Sequence, residues 1–218
     1  MKKQRKIAVI LSGCGVYDGS EIHEATLTLW AIVKNGAEYG VFAPDMAQHH
    51  VINHLTGEEI KESRNVLAES ARIARGKINP LNKFQSADFD AIIFPGGYGA
   101  AKHLSTFAFD GANMKILPDI ENIVNEMVKA GKPVGALCIS PVILAKLLPN
   151  VEVTIGKDEG TAAVIEKLGS RHKIAGPGEI VIDKKYKVVT TPCYMLDSNI
   201  AEIGIGIDNV VKAILKMT

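Results

Sequence analysis

"VGALCISPVILAKLL", residues 134–148, is a short apolar run that stops at a cysteine and resumes at once in helical spacing. Val134–Leu137 follows the stop signal Gly131-Lys132-Pro133, as expected of a core strand in a parallel sheet. Ser140 offers a helix cap, and Pro141 suits a first helical turn, where a missing N–H costs nothing. Cys138 therefore stands at the hinge between strand and helix. Ala136 and Ser140, two residues either side, are small, as a tight turn needs when it pushes one side chain outward. A helix N-terminus favours negative charge, so the expectation is a Cys138 thiol partly ionised at neutral pH. The plainer alternative is a small buried hydrophobe, the common role of a single cysteine.

Outward from this corner, strand and helix patterns alternate. "KIAVILSG" (6–13), "AEYGVFAP" (37–44), "FDAIIFPGG" (89–97) and "VEVTIG" (151–156) read as strands. Residues 20–36 read as a helix with the stripe Ile22, Ala25, Leu29, Ile32 and Val33, stopped at Gly36. Further helices are expected over 63–76, 118–131 and 159–169, and a last one carries Ile200, Ile203, Ile207, Val210, Val211 and Ile214. Residues 178–192 read as a β-hairpin turning at Lys184-Lys185, and 45–62 as an irregular or hairpin insertion. The alternation predicts one α/β domain over 1–218, with a mostly parallel central sheet and helices on both faces.

Composition narrows the function classes. The 218 residues carry 25 Lys and Arg against 24 Asp and Glu, a net charge of +1 with the signs interspersed. Only "KKQRK" at 2–6 is a basic cluster, which reads as a solvated tail, so neither nucleic acid nor a membrane is an expected partner. Three cysteines with no CxxC spacing argue against a disulfide framework or a structural zinc site, and place the chain in a reducing cytoplasm or an equivalent organelle. His49, His50 and His54 share the insertion, but no carboxylate or cysteine completes a ligand set, so no metal is expected.

In open α/β sheets, ligands bind beyond the carboxyl ends of the strands. Three segments put unusual residues there: "SGCGVYDGSE" (12–21), "PGGYGAAKHL" (95–104) and Cys138. Gly96-Gly97 can turn a backbone N–H outward, which with the N–H of Ile139 would form an oxyanion hole; alone, the pair need only allow a sharp turn. A cysteine nucleophile needs a proton partner, and Glu24 is the candidate, because a carboxyl beside an apolar stripe loses solvation and its pKa rises. Glu21 reads as a surface acid that complements the helix dipole, and His23 as pointing elsewhere. Cys14, Gly96, Tyr17 and His103 are expected at the pocket rim, and Cys14 and Cys193 both follow strands on the side of the site.

"VILSGCGVYDGSEIHEA" (9–25), "VINHLTGE" (51–58), "RNVLAESARIARG" (64–76), "PGGYGAAKHL", "ALCISP" (136–141) and "TTPCYML" (190–196) resemble the PfpI-type, class I glutamine amidotransferase-like superfamily, and within it the ElbB group, described as glyoxalase-like or isoprenoid-biosynthesis-associated. The resemblance implies a flavodoxin-like three-layer sandwich, Cys138 as nucleophile, Glu24 as acid/base, and Gly97 with Ile139 as oxyanion hole. It also places the first-strand loop beside the elbow, so that Cys14 is expected nearer to Cys138 than Cys193 is, and it implies a homodimer and a cofactor-independent reaction on a small carbonyl, converting 2-oxoaldehydes such as glyoxal or methylglyoxal to 2-hydroxy acids. One departure matters: many relatives place a histidine at or soon after the position of Ile139, and here none occurs before His172. The Cys–His part of the family mechanism is therefore not carried over. "TTPCYMLDSN" (190–199) lacks the His and Glu of true glutamine amidotransferases, which excludes glutaminase activity. The competing class is a redox- or ligand-sensing protein whose Cys138 is modified without turnover.

Overall fold

The β-branched run of β1 (Lys6–Ile10) forms an inner strand of a seven-stranded sheet in a computed structural model that describes residues 4–218. Residues 1–3, the start of the basic cluster, lie outside the described residues. Of the rest of that cluster, Arg5 is not free in solvent: it donates to the Asp90 carboxylate at 3.2 Å and to the Thr218 carbonyl. Chain order continues with α1 (Ile22–Lys34), β2 (Glu38–Ala43), α2 (Val66–Ile73), β3 (Asn79–Pro80), β4 (Ala91–Phe94), α3 (Tyr98–Lys102) and α4 (Phe107–Asp110). Then come α5 (Pro118–Lys129), β5 (Val134–Leu137), α6 (Pro141–Leu147), β6 (Glu152–Val153), α7 (Glu159–Lys167), β7 (Arg171–His172), β8 (Val181–Asp183), β9 (Val188–Thr191) and α8 (Ile200–Met217).

The sheet order is β3-β2-β1-β4-β5-β9-β8, parallel throughout except for the antiparallel β8–β9 hairpin at the edge. Successive side chains of a strand face opposite sides, and β1 divides accordingly. Ile7 and Val9 pack with Ile32 of α1 and Val210 of α8, whereas Ala8 and Ile10 pack with Ile120 and Val124 of α5 on the other face. The result is a three-layer, flavodoxin-like sandwich. Each fully buried Ile or Val contributes roughly 1.5–3 kcal/mol relative to an exposed one, so the two faces together hold the sheet.

The sequence patterns meet four corrections. The 151–156 strand does not join the main sheet: β6 pairs only with β7, in a separate two-stranded sheet. Ile22 and Val33 of the expected α1 stripe are exposed, as is Ile200 of α8, because each lies at an end or flank of its helix and beyond the reach of the sheet. The buried stripe of α1 instead includes Glu24, Thr28 and Ala31. Finally, Ser140 does not cap α6. Its hydroxyl donates to the Pro95 carbonyl at 2.7 Å, tying the elbow to the glycine turn after β4.

Candidate active site

β1, β4, β5 and β9 are neighbours in the sheet, so the loops at their carboxyl ends converge. Cys138 leaves β5 in the left-handed region, with φ 57°, and its N–H donates to Thr191 of β9 at 3.0 Å. A non-glycine residue held there is strained, and the strain aims its side chain away from the sheet as an elbow does. Its neighbour is Gly96, where an added Cβ would stand 2.3 Å from Cys138 Cβ and 2.6 Å from Glu24 Oε2. Gly96 is thus the floor of the site, and its lack of a side chain lets Glu24 and Cys138 meet.

Glu24 is fully buried on the first turn of α1. Its Oε2 accepts the Gly96 N–H at 2.8 Å, its Oε1 accepts the Tyr194 N–H at 3.3 Å, and the carboxyl hydrogen bonds the Cys138 thiol. Burial first, and the charge of Glu21 second, push its pKa up to about 8 against the pull of those backbone donors. Glu21 is not a surface acid. It is buried and caps α1, accepting the Glu24 N–H at 2.7 Å. The expected ionised thiol is corrected as well. Burial and the Glu24 carboxylate raise the Cys138 pKa well above that of an ordinary thiol, and the Gly97 and Ile139 N–H groups offset this only in part. A one-residue entry to a seven-residue helix does not outweigh the loss of water.

Those two N–H groups both point at the Cys138 sulfur, and neither has a backbone acceptor among the described residues. Gly97 is required where it stands. Its φ is 94°, and a Cβ would lie 2.4 Å from both the Glu21 nitrogen and the Gly19 oxygen. An oxygen bound to a carbon attached to this sulfur would lie within reach of both donors, the arrangement of an oxyanion hole.

Beside the sulfur opens a cavity of about 360 Å³. Its wall comprises Val16, Gly97, Tyr98, Ala101, Phe107, Ala108, Cys138, Ile139, Asp158, Thr161, Tyr194 and Met195. Of the residues expected at the rim, Gly96 lies beneath Cys138 and Glu24 as the floor of the site and not in the cavity wall, and the other three do not line the cavity. Tyr17 is exposed, and its N–H donates to His54 Nε2 at 3.3 Å. His103 is buried as a pin between loops, bonded to the Ser12 carbonyl at 2.8 Å and to the His49 N–H at 3.1 Å. Cys14 lies among Glu69, Arg72, Asp18 and Arg64, and its pKa is raised by burial first and the Glu69 charge second. The thiol close to Cys138 is instead Cys193, whose sulfur is approached by the Cys138 N–H and whose pKa is raised well above the usual value by burial and by Glu24.

Sequence reasoning missed Tyr194, Asp158, Thr161 and Phe107. The first lay within the "TTPCYML" segment, but nothing local marks a tyrosine as pocket lining. His23 does not point away from this region, since its Nδ1 hydrogen bonds the Tyr194 hydroxyl at 2.8 Å. His49 and His50 meet edge to face and both pack at an angle against Phe109, and among the described residues no group of three metal-binding side chains converges.

A strained cysteine between a core strand and a short helix, on a sheet of this order, defines the flavodoxin-like proteins with an elbow thiol. Residues 14–191 match the DJ-1/PfpI family, and the chain belongs to it. It is 48% identical to the ES1 protein homolog, mitochondrial, of Rattus norvegicus over 227 residues, which take in 100% of this chain and 85% of that protein. It is likewise 48% identical over 223 residues to the glutamine amidotransferase-like class 1 domain-containing protein 3, mitochondrial, of Homo sapiens, covering 98% of this chain and 83% of that one. Among solved structures, the isoprenoid biosynthesis protein with amidotransferase-like domain from Ehrlichia chaffeensis superposes with a TM-score of 0.91 at 36% identity, covering 98% of this chain and 100% of that one. Both mammalian relatives bear mitochondrial names, which overturns the expected cytoplasmic placement. No helix among the described residues is long and apolar enough to cross a membrane.

Proposed function

We propose that the protein is a cofactor-independent glyoxalase-like enzyme that converts 2-oxoaldehydes to 2-hydroxy acids. The observation that carries this reading is the buried Glu24 carboxyl, hydrogen bonded to the Cys138 thiol with its pKa lifted to about 8. An acid/base works best with a pKa near the operating pH, and the fraction of Glu24 ionised at pH 7 is a stronger base than an ordinary carboxylate.

The chemistry is redox-neutral and needs only water. Glu24 takes the thiol proton as the Cys138 sulfur bonds to the aldehyde carbon. The new oxyanion rests on the N–H groups of Gly97 and Ile139 and then takes the proton back from Glu24, leaving a hemithioacetal. Glu24 next removes the hydrogen on that carbon, the electron pair moves through the enediol, and the proton returns to the neighbouring carbon. The product is a thioester of the 2-hydroxy acid. Water hydrolyses it, releasing the acid and restoring the thiol.

Methylglyoxal incubated with the protein in D₂O tests this directly. The expected result is lactate formed over many turnovers, carrying deuterium at C2 to the extent that the proton held by Glu24 exchanges with solvent before it returns to carbon, and no lactate from Cys138→Ser. A second reading, a thiol sensor without turnover, is supported by the second sulfur of Cys193 beside the elbow. One stoichiometric burst of adduct with no further lactate would favour that reading.

A further inference from the structure

The cavity beside Cys138 is larger and greasier than a two- or three-carbon carbonyl needs. At about 30 Å³ per water, its volume of about 360 Å³ has room for a molecule of roughly ten heavy atoms. Methylglyoxal has about half that number. Val16, Ala101, Phe107, Ala108, Ile139 and Met195 make up half of the lining residues, with the Tyr98 ring beside them. Hydrophobic walls of this kind reward an apolar substituent and gain little from a methyl group.

The charge in the cavity wall opposes an anion. Asp158 is the one charged side chain in the wall, and hydrogen bonds from Thr161 hold its pKa below the usual carboxylate value, so it is ionised at neutral pH. It also caps α7, accepting the Thr161 N–H at 2.7 Å, and so already occupies the helix N-terminus that could have received a ligand carboxylate or phosphate. Among the described residues no lysine lines the cavity, and Lys102, one residue beyond the lining Ala101, is spent elsewhere. Lys102 Nζ donates to the Tyr17 carbonyl at 3.0 Å and lies over the Tyr98 ring, outside the lining.

We propose that this site takes uncharged carbonyl compounds with a bulky apolar or aromatic substituent, such as aryl or branched-alkyl 2-oxoaldehydes, and rejects those carrying a carboxylate or phosphate. The inference names the substrate class of the glyoxalase-like reading and rests on it for turnover. The ligand preference itself can be read without turnover, because Cys138 reports occupancy of the cavity by its own alkylation.

Two measurements on the full-length protein separate the questions. In the first, kcat/KM is compared for phenylglyoxal, tert-butylglyoxal and methylglyoxal, and the bulky substrates are expected to exceed methylglyoxal by about tenfold or more. In the second, the rate of Cys138 labelling, followed by mass mapping and normalised to glutathione, is compared for N-phenyl iodoacetamide, iodoacetamide and iodoacetate. The aromatic reagent is expected to be at least about tenfold faster than iodoacetamide and iodoacetate at least about tenfold slower. Asp158→Asn keeps a capping side chain and is expected to recover several-fold of the iodoacetate rate. Labelling preference without turnover of any 2-oxoaldehyde would remove the glyoxalase-like reading and leave the ligand class standing. Equal normalised rates for the three reagents, or iodoacetate faster than iodoacetamide, would overturn the ligand class whatever the turnover.

Discussion

Glu24 Oε2 accepts the Gly96 N–H at 2.8 Å, a bond that joins the first turn of α1 to the loop after β4. Because Gly97 follows directly, the same bond orients the N–H that points at the Cys138 sulfur. Acid, thiol and oxyanion donors are thereby held by three different loops of one sheet edge, so disturbing any one of them disturbs the others.

Glu24→Gln should separate thiol reactivity from turnover. Removing the carboxylate removes a charge that raises the Cys138 pKa, so alkylation at pH 8–9 should quicken by several-fold. Turnover of a 2-oxoaldehyde should fall by about 10²–10⁴-fold, since the amide cannot carry a proton. In the parent protein, turnover should rise with pH up to about 8, as Glu24 ionises. Parallel loss of both reactivities would show that Glu24 only shapes the loop.

The same carboxyl sets a pH dependence of stability. Its folded-state pKa of about 8 lies above the 4.5 of a free glutamate, so between these limits the folded state binds more protons than the unfolded state. Stability is then fully present below about pH 4.5 and is lost as pH rises toward 8, by up to roughly 4 kcal/mol for a group so buried. Urea unfolding of the parent and of Glu24→Gln at pH 5 and pH 8 measures this. The variant should show a flatter profile and gain relative to the parent at pH 8; parallel profiles would mean Glu24 is not protonated in the fold.

Gly97→Ala should be poorly tolerated. Its φ of 94° disfavours any L side chain, and the Cβ would press on the Gly19 oxygen and the Glu21 nitrogen at 2.4 Å. The expected cost is about 1–3 kcal/mol from the backbone conformation alone, and the loop must shift to relieve the contact. Circular dichroism melts check the stability, and Cys138 labelling checks the site. A melt and a labelling rate equal to the parent's would refute the fit described here.

Mild peroxide followed by peptide mapping tests the placement of the thiols. Cys14 faces Glu69 and Arg72, away from the elbow, whereas the Cys193 sulfur adjoins Cys138. Any intramolecular crosslink of Cys138 is therefore expected to join it to Cys193. A Cys14–Cys138 peptide would contradict this arrangement.

Much of this molecule was legible in its residues. The apolar run ending at Cys138, the glycine stop at Gly36 and the β8–β9 hairpin follow from local rules of periodicity and turn chemistry, which act within a few residues. Glu24 could be singled out because it stands beside the buried stripe of its own helix. The pairing of β6 with β7, the bond from Ser140 to Pro95, the burial of Glu21 and the proximity of Cys193 could not be read in this way. Each depends on which segments the tertiary fold brings side by side, and partners 45 or 55 residues apart, as for Ser140 with Pro95 and Cys138 with Cys193, leave no periodic mark. The sign of the Cys138 shift is of the same kind. A helix N-terminus is visible in a sequence and lowers a thiol pKa, but the burial and the facing carboxylate that outweigh it exist only once the chain has closed around them.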